Sequence, residues 1–143
     1  NGEGSMIVFK HNMERDEYEQ YNPGRRSTVA LEVPHVLEIF QEMRKQYTKS
    51  VMSIPKIMVN IGAALVHPAD QFNKRLGREL ALSRMKPIEM RIQTHSLYEN
   101  ASDAIWLVLV GEDKQIGVHY SLNVKIYRDS GLLRIMGCYT VKR

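Results

Sequence analysis

The chain of 143 residues carries 43% apolar and 25% charged side chains, ordinary proportions for one globular domain with a core of its own. A net charge of +4 permits a polyanionic partner without requiring one, and no apolar run approaches the roughly 20 residues of a membrane-spanning helix. The single cysteine, Cys138, excludes an internal disulfide framework and fits a reducing compartment such as the cytoplasm.

The first five residues, NGEGS, precede Met6 and read as an appended remnant, leaving residues 6–143 as a single domain. Residues 6–11 suit an edge strand. Residues 12–26 are polar and end in Asn22-Pro23-Gly24, a loop signal. Residues 27–33 alternate and carry β-branched side chains, which predicts a strand. Pro34 suits the first turn of a helix, and Val36, Leu37, Phe40, Met43, Arg44 and Tyr47 continue at helical spacing, predicting a helix over 34–49. The apolar run 57–66, bounded by Pro55 and Pro68, predicts a buried strand. A second helix is expected over 68–86, with Pro87 as its stop.

Candidate strands then follow at 88–96, 103–110, 115–127 and 132–141. Turn signals separate them at Glu99-Asn100 with Ser102-Asp103, at Glu112-Asp113-Lys114 and at Asp129-Ser130-Gly131. Short connections imply antiparallel neighbours. The expected fold class is α+β: a mostly antiparallel sheet with a C-terminal β-meander and two helices packed on one face.

In the second helix, Ala69, Phe72, Leu76, Leu80 and Ser83 form a stripe at spacings of three and four, the face expected against the sheet. Asp70 would lie in the first turn and complement the helix dipole. Lys74, Arg75, Arg78, Arg84 and Lys86 load the rest with cations. Gly77 costs about 1 kcal/mol relative to alanine inside a helix, which suits a place where a backbone or a ligand comes close. Lys74, Arg78 and Arg84 beside it are candidate ligands for a phosphate or carboxylate. A plainer reading is that cations near a helix C-terminus favour the dipole and stay in water.

The pattern Asp70-x-Phe72, Gly77-Arg78, Ala81 and Arg84 resembles a short segment of small accessory proteins of bacteriophages and plasmids, where it also follows a strand. The resemblance spans residues 70–84 and brings no catalytic role with it. It implies a class of action by stoichiometric binding, in host takeover or defence evasion within the host cytoplasm. Such proteins block a host enzyme, sequester a nucleotide signal or coat nucleic acid.

Alternation in the meander separates two faces. Val118, Tyr120, Leu122, Val124 and Ile126 belong to the core side. Arg91, His95, His119, Asn123, Lys125, Tyr127 and Arg134 gather on the other, a set of cations, amides and an aromatic ring suited to bases and phosphates. A solvated sheet face looks the same. Strand 103–110 is apolar on both faces, as a central strand or a homo-oligomer interface would be.

Chemistry for catalysis is harder to find. The five histidines stand singly, Cys138 has no cysteine partner, and neither a metal site nor a cofactor is expected. G-x-S-x-G, the phosphate-binding G-x-x-x-x-G-K-[ST] and G-x-G-x-x-G are all missing. His119-Tyr120-Ser121 has the H-x-[ST] form of a phosphoesterase that needs two copies, and there is one. The sequence therefore names no catalytic residue and points to a binding protein. The first partner expected is an anionic nucleotide, the second a host protein such as a nucleic-acid-processing enzyme, and the third RNA or DNA bound without sequence preference.

Overall fold

The computed structural model describes residues 6–12, 26–39, 41, 56–67, 69–71, 73–96, 104–127 and 130–142. Seven strands follow one another: β1 (Ile7–Asn12), β2 (Ser27–Glu32), β3 (Lys56–Leu65), β4 (Lys86–Ser96), β5 (Ala104–Asp113), β6 (Val118–Tyr127) and β7 (Leu133–Lys142). Each pairs antiparallel with the next, so the sheet order is the chain order. Helix α1 (Lys74–Ser83) lies in the connection between β3 and β4. The α+β class holds in its coarse form, with strands dominating.

Where the sheet was expected to rest against two helices, it curls on itself. β1 and β7, its two ends, meet along a seam where Asn12 Nδ2 donates to the Cys138 carbonyl at 3.1 Å. The core is the inside of this near-barrel. Val29, Leu31, Val59, Ile61, Met90, Leu107, Leu109, Tyr120, Leu122 and Val124 alternate inward and are all but sealed from water. Burial and the nearby Asp113 carboxylate push the Tyr120 hydroxyl up to about 12. Val36 and Ile39, in the described start of the first helix, pack against this core, while Phe40, Met43, Arg44 and Tyr47 fall outside the described residues.

Helix α1 lies on the outer face, over β2 and β3. The floor beneath it is made of small residues: Thr28 and Ala30 of β2, paired with Ala64 and Gly62 of β3. Ala81 is fully buried there, and a Cβ on Gly62 would come within 2.2 Å of the Ala81 carbonyl oxygen. One turn earlier a Cβ on Gly77 would come within 2.4 Å of Thr28 Oγ1. The mid-helix glycine is thus a packing device: helix and strand approach more closely than any side chain allows.

That seam overturns the stripe read from the sequence. Leu76, expected inward, is 51% exposed, Ser83 is exposed, and Phe72 lies outside the described residues. The helix is also shorter than 68–86. Asn73 caps it, its side chain accepting from the Leu76 N–H at 3.0 Å, so Asp70 sits before the helix and not in its first turn. Pro87 does not stop it. Arg84 is the C-cap, and Pro87 belongs to β4 opposite Asn60.

Two bulges redirect side chains in the meander. One lies between Ile92 and Thr94, so that the His95 position pairs with Leu107. The other, between Asn123 and Val124 across from β7, leaves Met136 as the extra residue. Cys138 and Thr140 therefore follow Leu133 and Ile135 inward, and Tyr139 turns outward, the reverse of strict alternation from residue 132. Thr140 Oγ1 donates to Ser27 Oγ at 3.1 Å, and burial pushes the neighbouring Cys138 thiol up. The β5–β6 turn falls at 114–117 with Gly117 at φ +68°, so Glu112 and Asp113 end β5 and are not in the turn. Asp113, 5% exposed, pairs with Lys86 Nζ at 2.6 Å and accepts from the Gln115 N–H.

Candidate functional site

The outer face of β5, β6 and β7 carries a cluster of aromatic and cationic side chains. Register aligns Trp106, Lys125 and Arg134 in one row across the three strands. Lys125 Nζ sits 4.9 Å from the Trp106 ring centroid and 5.0 Å from that of Tyr127, two residues along β6. Alternation puts Tyr127 on Lys125's face, and cross-strand pairing brings Trp106 beside it. An exposed cation–π contact contributes roughly 0.5–1 kcal/mol, enough to order a lysine that would otherwise sweep freely through water.

The next row is Val108, Asn123 and Gly137. A Cβ on Gly137 would meet nothing within 4 Å, so the surface there is bare backbone beside the Asn123 amide. With strands about 4.8 Å apart and alternate residues about 6.8 Å apart, the patch from Trp106 to Arg134 and from Tyr127 to Asn123 measures about 10 by 14 Å. It is convex and open. Trp106 is 36% exposed, and Met136 and Leu132 beside Arg134 are exposed as well. Planar rings can receive bases by stacking, and the two cations can receive phosphates.

The other expected site residues fall elsewhere. His119 shares the outer face of β6 but stands against a carboxylate, with Nε2 2.8 Å from Glu112 Oε1. That contact lacks hydrogen-bond geometry, and among the described residues the buried Nε2 has no other partner. Arg91 is exposed on β4, between Lys56 and Val110 in register and two rows from Trp106. Arg84 is tied down structurally, its Nη1 donating to the Ala63 carbonyl at 3.2 Å. Lys74 and Arg78 lie on α1, over β2 and β3. Among the described residues, the basic helix contacts β2 and β3, away from the strands β5–β7 that carry the polar sheet face.

Trp106 is the member that polarity alone missed, because it reads as part of an apolar strand. Counting outward from a turn centred between residues 115 and 116 pairs it with Lys125. The residues of the 70–84 pattern have structural work of their own: Gly77 and Ala81 seat the helix on Thr28 and Gly62, and Arg84 fastens its end. Among the described residues, no three His, Cys, Asp or Glu side chains gather as metal ligands would, and no helix is long and apolar enough to cross a membrane. Compared with known protein families, curated proteins and solved structures, the chain matches none.

Proposed function

We propose that the protein acts by stoichiometric binding of single-stranded nucleic acid on the outer face of β5–β7. Bases stack on Trp106 and Tyr127, and phosphates pair with Lys125 and Arg134. The observation that carries this reading is the Trp106–Lys125–Tyr127 cluster, in register with Arg134. Sequestration of one free nucleotide, the partner placed first from the sequence, fits less well. A small ligand needs a concave site that covers most of its surface, and this face is convex. An extended strand needs only a track of rings and cations. Capture of this kind suits the phage-type accessory role that the 70–84 pattern resembles.

Titration of a labelled oligothymidylate of about twelve nucleotides, across a salt series, tests the proposal. Trp106→Ala should weaken binding by about 1–3 kcal/mol, roughly 5- to 150-fold. The double variant K125Q/R134Q should flatten the slope of log K against log salt by about 1.4, two phosphate contacts at about 0.7 each. Binding indifferent to both variants would remove this face from consideration.

A second reading rests on Trp106, Leu132 and Met136, exposed apolar side chains around the same cations. A host protein docking there would use Trp106 as its anchor. It would leave the wild-type protein without affinity for any oligonucleotide.

A further inference from the structure

The corner between α1 and β1 holds a second, differently built group of cations. Gly77 lets Thr28 of β2 rise against the helix, and Thr28 Oγ1 lies 2.8 Å from His11 Nδ1 of β1. His11 Nε2 in turn lies 3.5 Å from Arg78 Nη1. With Arg78 donating to Nε2, the ring carries its proton on Nδ1 and donates to Thr28, which defines one tautomer of a neutral imidazole. Burial first, then the charges of Arg78, Lys74 and Lys10, pull the His11 pKa down and favour that neutral form.

This corner gathers cations without a paired carboxylate among the described residues. Among the described residues no carboxylate lies within ion-pair distance of Lys74 or Arg78; Glu79 pairs with Arg75. Lys74 occupies the first helical position, where the dipole disfavours a cation and prefers an anion, and no acidic residue stands in that first turn. Arg78 follows one turn later on the same side. Arg78 is exposed, and among the described residues its guanidinium touches His11 through one nitrogen, which leaves a fork suited to a bidentate acceptor.

We propose that Arg78 and Lys74 hold a phosphate group at this corner, with His11, braced by Thr28 against Gly77, fixing the Arg78 guanidinium. The site is independent of the β5–β7 face. Its ligand is a phosphoryl group on a small molecule or at a strand end, or a phosphodiester within a strand. Arg78 and Lys74 are the binding residues; His11, Thr28 and Gly77 position them.

The His11 ring signal in a proton–carbon NMR spectrum, assigned by its loss in H11Q, reads the site directly. Inorganic phosphate at up to about 20 mM, set against chloride at equal ionic strength, should move that signal to saturation. It should also raise the midpoint of the His11 titration, because a bound anion offsets the two cations. R78Q should raise the midpoint without phosphate and abolish the response to it, with the melting temperature unchanged. T28V, which keeps the shape and loses the hydroxyl, should weaken the response several-fold. Oligonucleotides with and without a 5′-phosphate complete the set. A response confined to the phosphorylated form assigns a terminal phosphate, and a response to both assigns the phosphodiester. A His11 signal that moves no further with phosphate or either oligonucleotide than with chloride overturns the proposal, as does an undiminished response in R78Q.

Discussion

Replacing Gly77 by alanine sets helix propensity against packing. In a free helix the change is worth about 1 kcal/mol of stability. Here the new Cβ would stand 2.4 Å from Thr28 Oγ1 and 3.0 Å from Thr28 Cβ. Thr28 is 1% exposed and its hydroxyl is engaged by His11, so it has little room to turn away. Overpacking of this severity costs near the top of the usual range, about 3 kcal/mol. The net expectation is a loss of about 2 kcal/mol, or about 4–8 °C in Tm for a chain of this size.

Two companion variants calibrate that value. Gly62→Ala meets backbone atoms of Ala81, Arg84 and Met85 between 2.2 and 2.8 Å, which cannot rotate away, and should cost at least about 3 kcal/mol. Gly137→Ala meets nothing and should gain about 0.5 kcal/mol by removing a strand glycine. Urea unfolding measures all three. A double-mutant cycle of G77A with T28A should return about 2 kcal/mol of coupling. A stabilised G77A without coupling to Thr28 would falsify the docking of α1 on β2 through this seam.

Other expectations follow from single contacts. Lys86→Met strands the buried Asp113 carboxylate; because Lys86 is itself partly exposed, the loss in urea unfolding should be roughly 2 kcal/mol, under the about 3–5 of a fully buried pair. Retained stability would mean that Gln115 and water suffice for Asp113. The folded protein holds His11 below its ordinary 6.5, so it binds fewer protons than the unfolded chain, and stability should fall as pH drops from 6.5 towards the folded value. His11→Gln should flatten that stretch of a stability–pH curve, and an unchanged slope would show His11 to be freely solvated. Gly137→Leu adds bulk into open space on the outer face; its Tm should hold while oligonucleotide affinity drops at least about tenfold. Full affinity in G137L would place the strand elsewhere.

Strand number, the C-terminal antiparallel meander and the inward positions of β6 were legible because period-2 alternation and turn residues are local signals. Closure of the sheet was not. It depends on the summed twist of seven strands and on a seam between residues as distant as Asn12 and Cys138. The helix face was misread because apolar spacing favours Leu76, whereas the contact is set by what the smallest residues let approach, Gly77 and Ala81. The bulge at Ile92/Thr94 has no glycine or proline to announce it, and the one opposite Asn123 is marked locally only by Gly137 beside Met136. Of the candidate site, Lys125, Tyr127, Asn123 and Arg134 were visible as one polar face. Trp106 was visible only as part of an apolar strand and His11 not at all, since each acquires its role here from a cross-strand neighbour.

Trp106 is the chain's one tryptophan, so its intrinsic fluorescence reports on the proposed face alone. Titrated at low salt with unlabelled oligothymidylate, the wild-type protein should show saturable quenching as bases stack on the indole. The quenching should reverse as salt rises and shrink sharply in K125Q/R134Q. Emission unmoved by oligonucleotide, under conditions where a separate assay registers binding, would contradict recognition through β5–β7.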